Sequence, residues 1–427
     1  MKPSIFKILY YFIKLRLSRL FFSNKISASL VKEWKTNLKK SKFYDEIIRT
    51  GKAFPIVNKT VFMENFDAIN TVGVQKKAAF ELAIKSETTR DFSPMINGIS
   101  IGLSSGTSGN KGIFLTNKKE KEIWTAAVLE RVIGFSLKKR KVAFFLRANN
   151  NLYESVNSML LSFDFFDIKI PIAQHIKRLR LLQADILVAQ PSVLFEIAKA
   201  YKKQKIKPHF SKIISVAEVL EKDQKAFFEK VFQCRIDQIY QCTEGFLAHT
   251  CKKGKLHFNE DWLRIEKKYL DKEQTRFHPV ITDFRRISQP VIRYELNDII
   301  HEGTPCSCGL KSTVIDRIEG RSDDIFRFEK AEKEIVIYPD FVRRAMMNTT
   351  DNLLNYIVSR KENKTIEVSL ELENETPKEE VFIKIKKALN QMFFEFGVED
   401  IIIKLMPYHH NPMNKFKRIR NEYQKSI

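Results

Sequence analysis

A short apolar strand that leads into a loop of glycines and hydroxyl residues constrains this chain more than any other feature. Residues 99–103 precede a run in which three glycines and four hydroxyl side chains occupy nine positions, Ser104-Ser105-Gly106-Thr107-Ser108-Gly109-Asn110-Lys111-Gly112. Because glycine has no Cβ, several backbone N–H groups can converge on one anion, and hydroxyl groups add further donors. The pattern predicts a phosphate-binding loop, followed by a helix from Lys119, in an α/β fold. A polar surface turn is the alternative.

The rest of the chain favours one large and one small domain. With 427 residues and 44% hydrophobic content, the chain can form two cores. Apolar strands at 142–146, 186–189, 212–216, 236–240, 256–258 and 279–282 alternate with helical stretches such as 191–203 and 222–232. This alternation predicts α/β layering. Beyond Asp323, residues 336–346, 365–372, 377–396 and 401–405 predict strands backed by two helices. We expect a large multi-subdomain α/β domain over 1–320 and a small α+β domain over 321–427.

The net charge and the number of cysteines indicate which partners and which cellular compartment to expect. The net charge of +23 favours anionic ligands, yet no nucleic-acid-binding motif is recognisable, so we expect no nucleic-acid partner. Five cysteines do not form a disulfide framework, which indicates a reducing cytoplasm. No apolar run reaches the roughly 18 residues of a membrane span. The basic, apolar stretch at 5–17 predicts an amphipathic helix packed on its own domain, with weak peripheral contact to anionic lipid as the alternative.

Two other nucleotide or nucleophile motifs overlap the glycine-rich loop. Gly102-Leu103-Ser104-Ser105-Gly106 has the spacing of an esterase nucleophile elbow, but that motif needs an apolar helix directly after the serine. The ATPase P-loop needs Lys and then Ser or Thr directly after its last glycine, and Gly109-Asn110-Lys111-Gly112 lacks that order. Neither motif explains the segment.

The loop resembles the signature of the adenylate-forming superfamily, in particular its phenylacetate–CoA ligase-like branch, whose version is serine-serine-glycine-threonine-threonine-glycine. Ser108 replaces the second threonine and keeps the hydroxyl group. The resemblance implies that the phosphates of ATP bind to Ser104, Ser105, Gly106, Thr107, Ser108 and Gly109. The family's proline after this run is missing, so the resemblance assigns no role to Lys111.

A second motif, Tyr240-Gln241-Cys242-Thr243-Glu244-Gly245, resembles the family's Tyr-Gly-x-Thr-Glu element, with Gln241 in place of glycine. The resemblance implies that Tyr240 stacks on adenine and that Thr243 bonds the α-phosphate. It implies that Glu244 binds Mg²⁺, for which a carboxylate oxygen is a suitable ligand.

Three more motifs follow in the family's order. Residues 290–298 resemble its Pro-Val-Ile-Arg-Tyr…Asp segment and imply that Asp298 binds the ribose hydroxyls. Residues 318–324 resemble the hinge, where Arg321 would contact ribose or phosphate and Asp323 would be the pivot of the mobile C-terminal lid domain. Residues 414–418 resemble a Gly-Lys-x-x-Arg pattern, which makes Lys415 the expected catalytic lysine and Lys417 the fallback.

The resemblance spans nearly the whole chain and implies an AMP-forming ligase. Such an enzyme uses ATP and Mg²⁺ to convert a carboxylic acid into an acyl-adenylate, then transfers the acyl group to CoA or to the phosphopantetheine thiol of an acyl carrier protein. Locally, residues 240–248 and 63–67 resemble relatives of the deazaflavin-coenzyme adenylating synthetases. Adenylylation of a hydroxyl group and a non-catalytic nucleotide-binding or membrane-surface protein therefore stay as alternatives. The acid, aromatic or long-chain, and the oligomeric state, with a dimer among the options, stay open.

Four metal-ligand residues are grouped in two short segments. Cys251 and His257 lie on either side of Gly254, and Cys306 and Cys308 are one residue apart. Three thiolates and one imidazole form a ligand set for a closed, structural Zn²⁺ site. Reduced, buried thiols without a metal are the alternative.

Overall fold

The computed structural model describes residues 4–22, 25–104, 111–134, 136, 138–146, 161–330, 333–350, 352–373, 376–411 and 415–423. Residues Ser105–Asn110 of the glycine-rich loop lie outside these ranges. The chain forms two compact units, one of Met1–Leu296 with Ile300–Ile318 and one of Asn297–Ile299 with Glu319–Ile427. The second unit thus includes a short segment from the middle of the chain.

Six helices precede the first strand: α1 (Ile5–Phe22), α2 (Ala28–Leu38), α3 (Lys42–Thr50), α4 (Lys59–Glu64), α5 (Phe66–Ile69) and α6 (Lys76–Thr89). Ser27, Ser41 and Asn58 cap α2, α3 and α4, because each side-chain oxygen accepts a hydrogen bond from a backbone N–H of the first turn. No described helix has both the length and the apolar composition that crossing a bilayer requires.

The glycine-rich loop joins the strands of a two-stranded antiparallel sheet, β1 (Ser100–Leu103) and β2 (Ile113–Thr116). The sequence analysis predicted the first strand and the helix from Lys119, and it missed the second strand. That helix, α7 (Lys118–Val128), begins with a capping box between Asn117 and Glu120 and ends in a π-helical turn, Leu129–Ile133.

A sheet of twelve described strands forms the main scaffold of the first unit. Its parallel half has the order β4-β3-β5-β6-β7, with β3 (Arg140–Leu146), β4 (Leu161–Asp167), β5 (Ile186–Ala189), β6 (Lys212–Ser215) and β7 (Ile236–Cys242). Helices α8 (Ile172–Leu182), α9 (Pro191–Lys203) and α10 (Lys222–Phe232) lie between these strands in sequence. All four residues of β5 are buried, as expected for a strand inside a parallel sheet.

Beyond β7 the sheet becomes largely antiparallel. Its order continues from β7 through β8, β9, β14, β13 and β11 to β10, and β12 pairs with β11. These strands are β8 (Gly245–Thr250), β9 (Leu256–Phe258), β10 (Leu263–Tyr269), β11 (Arg276–Asp283), β12 (Val291–Glu295), β13 (Asp298–Glu302) and β14 (Val314–Arg321). The mixed sheet and its helices confirm the predicted α/β class.

The second unit is a small α+β structure with its own core. It contains the hairpin β15 (Phe326–Lys330) and β16 (Lys333–Ile337), the helices α11 (Pro339–Met347) and α12 (Lys378–Glu395), and a sheet of order β19-β18-β17-β20. The sheet strands are β17 (Leu353–Arg360), β18 (Thr365–Leu372), β19 (Ile402–Met406) and β20 (Ile419–Asn421). Val381, Ile385 and Leu389 recur at helical spacing on α12 and are buried against this sheet's core.

Candidate active site and metal cluster

Two reciprocal hydrogen bonds close the base of the glycine-rich loop. The backbone N–H of Ser104 donates to the carbonyl of Gly112 (2.8 Å), and the N–H of Gly112 donates to Ser104 Oγ (2.7 Å). A Cβ at Gly112 would lie 3.4 Å from both Ser104 Oγ and the Cε atom of Lys59, which is ordinary van der Waals contact. Ser104 and Gly112 are therefore held together where β1 ends and β2 approaches, with the side chain of Lys59 beside Gly112.

Lys111, the lysine beside the loop, pairs with a carboxylate. Its ammonium group lies 3.2 Å from Glu87 Oε2 on α6. This ion pair gives Lys111 a structural partner and agrees with the absence of a phosphate-binding role in the sequence analysis.

A buried glutamate and glutamine connect this hairpin to the segment before β12, a link that sequence reasoning missed. Glu120 Oε1 accepts from the backbone N–H groups of Ile287 and Ser288, at 2.8 and 3.0 Å. Gln289 accepts from Leu115 N–H and donates to the Ile113 carbonyl, both at 3.0 Å. The Gln289 bonds fix β2, and the Glu120 bonds fix the start of α7, against residues more than 160 positions away in sequence.

The Thr243–Glu244 pair forms the turn between β7 and β8. Thr243 Oγ1 donates to Glu244 Oε2 at 2.8 Å, and both side chains are half-buried. Just before the turn, Tyr240 is buried, with its ring centroid 6.4 Å from that of Phe258. Gln241, the departure from the family's glycine, accepts a 3.1 Å hydrogen bond from the indole N–H of Trp124 on α7. The turn thus presents a hydroxyl and a carboxylate from a rigid strand end.

A buried carboxyl group, Asp283, lies behind this turn and was also missed. A Cβ added to Gly245 would lie 2.7 Å from Asp283 Oδ2, so the glycine that follows Glu244 allows this close approach. Burial raises the pKa of Asp283 to about 6, although its Oδ1 accepts a 2.8 Å hydrogen bond from the backbone N–H of Arg285. The only sequence signal for Asp283 is its position at the end of a strongly apolar strand.

Three of the predicted site residues lie together in the second unit. Arg321 Nε is 3.3 Å from Asp298 Oδ1. Asp323 accepts a 3.0 Å hydrogen bond from the side-chain amide of Asn297. The backbone carbonyl of Asn297 accepts a 2.9 Å hydrogen bond from Ser322 N–H. The structure therefore connects the predicted ribose-binding and hinge residues through neighbouring contacts.

The two candidate catalytic lysines have different surroundings. Lys417 donates to Asp324 Oδ1 at 2.8 Å, and Asp324 is 6% exposed. Burial raises the pKa of Asp324, while the Lys417 ammonium acts in the opposite direction. Lys415 lies two residues earlier, in the irregular segment before β20. The Lys417–Asp324 pair gives Lys417 a partner inside the second unit.

The structure groups the four predicted metal ligands. Cys251 follows β8, His257 lies on β9, and Cys306 and Cys308 lie between β13 and β14. Their ligand atoms are all within 4.8 Å of one another. Sγ of Cys251 is 3.8 Å from Sγ of Cys306, and Sγ of Cys308 is 3.5 Å from Nε2 of His257.

These separations agree with tetrahedral zinc geometry. Zn–S bonds of about 2.3 Å and Zn–N bonds of about 2.0 Å at tetrahedral angles place two sulfurs about 3.8 Å apart and a sulfur and a nitrogen about 3.5 Å apart. His257 Nδ1 lies 3.2 Å from the Ser312 carbonyl, so a proton on Nδ1 would leave Nε2 directed at the thiols as a ligand. The backbone N–H of Leu310 also donates to Cys308 Sγ at 3.4 Å, which favours a thiolate.

Comparison with known proteins gives a clear answer for the fold. No protein-family model matches the chain, and no curated protein sequence matches significantly. A 2-hydroxyisobutyryl-CoA ligase in the postadenylation state, in complex with R3-HIB-AMP, has a TM-score of 0.66 at 14% identity, over 93% of this chain and 91% of that chain. The amide bond synthetase McbA from Marinactinospora thermotolerans has a TM-score of 0.53 at 9% identity, over 74% and 67%. The anthranilate CoA ligase AuaEII, in complex with anthranoyl-AMP, has a TM-score of 0.50 at 12% identity, over 74% and 66%.

These neighbours confirm the fold that the sequence motifs implied. The agreement with the first of them extends over nearly the full length of both chains. This chain has the fold of the adenylate-forming ligases.

Proposed function

We propose that the protein is an AMP-forming ligase that activates a carboxylic acid with ATP and transfers the acyl group to a thiol, of CoA or of a carrier protein. The observation that carries this proposal is the nearly full-length fold agreement with a CoA ligase whose structure contains an acyl-adenylate. The Thr243–Glu244 turn supports it, because it presents a hydroxyl donor and a carboxylate at the end of a buried strand.

The proposed first step joins two anions. A carboxylate oxygen of the acid attacks the α-phosphorus of ATP, the bond to the bridging oxygen between the α- and β-phosphorus breaks, and pyrophosphate leaves with that oxygen. In the second step a thiolate attacks the acyl carbon and AMP leaves. Because acid and nucleotide repel each other, the protein must neutralise charge and align the attacking oxygen.

The residues of the first unit would contact the phosphates. Thr243 would donate to the α-phosphate, and Glu244 would bind Mg²⁺, which would neutralise phosphate charge when present. Ser104 and the loop that follows it would donate hydrogen bonds to the phosphate oxygens. Tyr240 would border the adenine. Mg²⁺ prefers oxygen ligands, and the half-buried carboxylate of Glu244 can supply them, which supports this assignment.

The residues of the second unit would bind the ribose and stabilise the charge of the transition state. Asp298 would accept hydrogen bonds from the ribose hydroxyls, and its contact with Arg321 would orient it. Asp323 would be the pivot of a mobile lid domain that starts near Arg321. Lys415 would stabilise the charge that develops during adenylation.

The Cys251, His257, Cys306 and Cys308 group would bind one structural Zn²⁺. The complete set of four ligands leaves no open position for a substrate, as in structural rather than catalytic zinc sites. Zinc would tie the β8–β9 hairpin to the connection between β13 and β14. None of the five cysteines forms a disulfide bond in the structure.

The test is ATP–pyrophosphate exchange across a library of aromatic and aliphatic acids, with mass spectrometry of the products with and without CoA. We expect exchange that depends on one class of acid and an acyl-CoA product. Exchange that needs an added carrier protein would assign the acceptor. Exchange without any acid, or AMP retained on a hydroxyl product, would contradict acid activation.

Two neighbouring lysines make a matched pair for the same assay. Lys415→Ala should lower acid-dependent exchange about 100-fold or more, because it removes charge from the transition state. Lys417→Ala should keep most of the exchange, since Lys417 is already paired with Asp324. The reverse result would move the catalytic role to Lys417.

A further inference from the structure

The outward face of α1 carries an unusual concentration of exposed apolar side chains. Six of the sixteen large apolar side chains exposed in the described part of the chain lie on this one helix of 18 residues: Ile5, Phe6, Leu9, Tyr10, Ile13 and Leu17. Phe6 is 84% exposed. Apolar residues scattered singly over a surface need no explanation, but a contiguous group of them indicates an interaction site.

These side chains form one stripe. With 3.6 residues per turn, Phe6, Ile13 and Leu17 project within about 40° of one another, and Leu9 and Tyr10 lie on either side of them. The buried residues Ile8, Phe12 and Leu15 project to roughly the opposite side, into the core of the first unit. The helix is therefore apolar on two faces, and the described part of the chain covers only one of them.

Contacts at both ends of α1 fix which face is outward. The backbone N–H of Ser4 donates to Glu122 Oε1 at 3.0 Å, and Arg19 forms a 2.8 Å ion pair with the buried Glu130. Rotation of the helix to bury the stripe would break both contacts and remove Phe12 and Leu15 from the core. The stripe consequently stays exposed among the residues that the structure describes, and a partner is needed to cover it.

The charge pattern identifies the chemistry of that partner. Exposed Lys7 and Lys14 border the stripe on one side and exposed Arg16 borders it on the other. Residues Ile5–Phe22 include no acidic residue. Two copies of the helix packed face to face would bring like charges together without a compensating carboxylate, whereas an anionic lipid surface would neutralise all three cations.

We propose that α1 docks the protein on an anionic membrane surface, lying in the plane of the interface with its stripe among the acyl chains and its flanking cations at the headgroups. An apolar face with basic borders on a helix that does not span the bilayer is the pattern of an interfacial helix. Tyr10, with its phenol group near the Lys14 border, suits the headgroup level. This role is independent of the proposed ligase activity.

The test is flotation of the full chain with vesicles of phosphatidylcholine alone and of phosphatidylcholine mixed with phosphatidylglycerol. The stripe variant carries Phe6→Ser, Ile13→Ser and Leu17→Ser. The control carries Ile84→Ser, Leu181→Ser and Phe394→Ser, three strongly exposed apolar residues on other helices. We expect the wild type and the control to float with the anionic vesicles and the stripe variant to bind about tenfold more weakly or worse.

A charge variant, with Gln at Lys7, Lys14 and Arg16, separates the two contributions. It should bind anionic vesicles more weakly than the wild type and lose most of the salt dependence, because salt screens only the electrostatic part. This variant also keeps the test decisive if the stripe variant folds poorly in a thermal-unfolding control.

Three outcomes would overturn the proposal. The first is a wild type that does not bind anionic vesicles, and the second is a stripe variant that binds them as well as the wild type. The third is a wild type that is dimeric by light scattering, becomes monomeric in the stripe variant, and shows no vesicle binding; that result would assign the face to a second copy of the chain.

Discussion

The two ends of strand β8 carry different kinds of polar group. The groups at its start suit a reaction, and the groups at its end suit a structural metal. At its start, the half-buried Thr243 and Glu244 form a turn in which one hydroxyl donates to one carboxylate. At its end, Cys251 is 5% exposed and belongs to a group of four ligand atoms within 4.8 Å of one another. A closed set of four ligands suits a metal that stays bound, and a half-buried carboxylate suits ligands that bind and leave.

The largest effect that this comparison predicts is on activity at the start of β8. Glu244→Gln should lower acid-dependent ATP–pyrophosphate exchange by about 100- to 1,000-fold, because the amide keeps the shape and the hydrogen bond from Thr243 but loses the charge that would bind Mg²⁺. The free energy of unfolding should change by less than about 0.5 kcal/mol, as is usual for a substitution outside the core. Exchange kinetics and urea unfolding measure the two quantities.

The zinc content of the Glu244→Gln variant is the internal control. It should equal that of the wild type, because in this interpretation the reaction at one end of β8 does not depend on the metal at the other. Full exchange activity in the variant would remove Glu244 from the chemistry. A loss of zinc together with activity would show that the two ends are coupled.

The next effect is on stability at the other end of the strand. Cys251→Ser should release the metal and lower the free energy of unfolding by about 3 kcal/mol, since loss of a structural metal is one of the mechanisms behind large single-residue effects. Elemental analysis and urea unfolding are the measurements. Cys234→Ser is the matched control, because Cys234 is a free thiol outside the cluster. Equal metal content in both variants and the wild type would contradict the zinc assignment.

The sequence predicts those features that lie within single segments. The runs that became β3 and β5 are largely apolar, and a strand buried on both faces needs that composition. The spacing of Cys306 and Cys308 around one residue, together with Cys251 and His257 across a glycine turn, likewise indicated a common site before the fold was known. Local composition carries this information because one segment supplies it.

The features that sequence analysis missed join distant segments. Glu120 bonds backbone N–H groups of Ile287 and Ser288, and nothing in the pattern of α7 beyond the capping box distinguishes it. The close approach of Asp283 to Gly245 depends on how β8 and β11 lie in the sheet. Such contacts are properties of the tertiary packing, and a single sequence does not display them.

The smallest predicted effect concerns Asp283, which lies behind the Glu244 end of β8, and it depends on pH. Burial raises its pKa from the ordinary 3.8 to about 6, so the folded protein binds this proton more tightly than the unfolded chain does. Stability is therefore lost as pH rises through this interval, and the loss above it is about 3 kcal/mol for a shift of about two pH units.

Asp283→Asn removes this titration and can keep the hydrogen bond from Arg285 N–H. Because the new amide donors also need partners, we expect a net gain in the free energy of unfolding of about 1–2 kcal/mol near pH 8. This gain should disappear as pH falls, and below about pH 3, where the wild-type carboxyl is neutral in both states, the variant should be the less stable protein because the cost of its amide donors remains. Urea unfolding of both proteins from about pH 3 to pH 8 measures the difference, and a constant difference at all pH values would show that folding does not shift the pKa of Asp283.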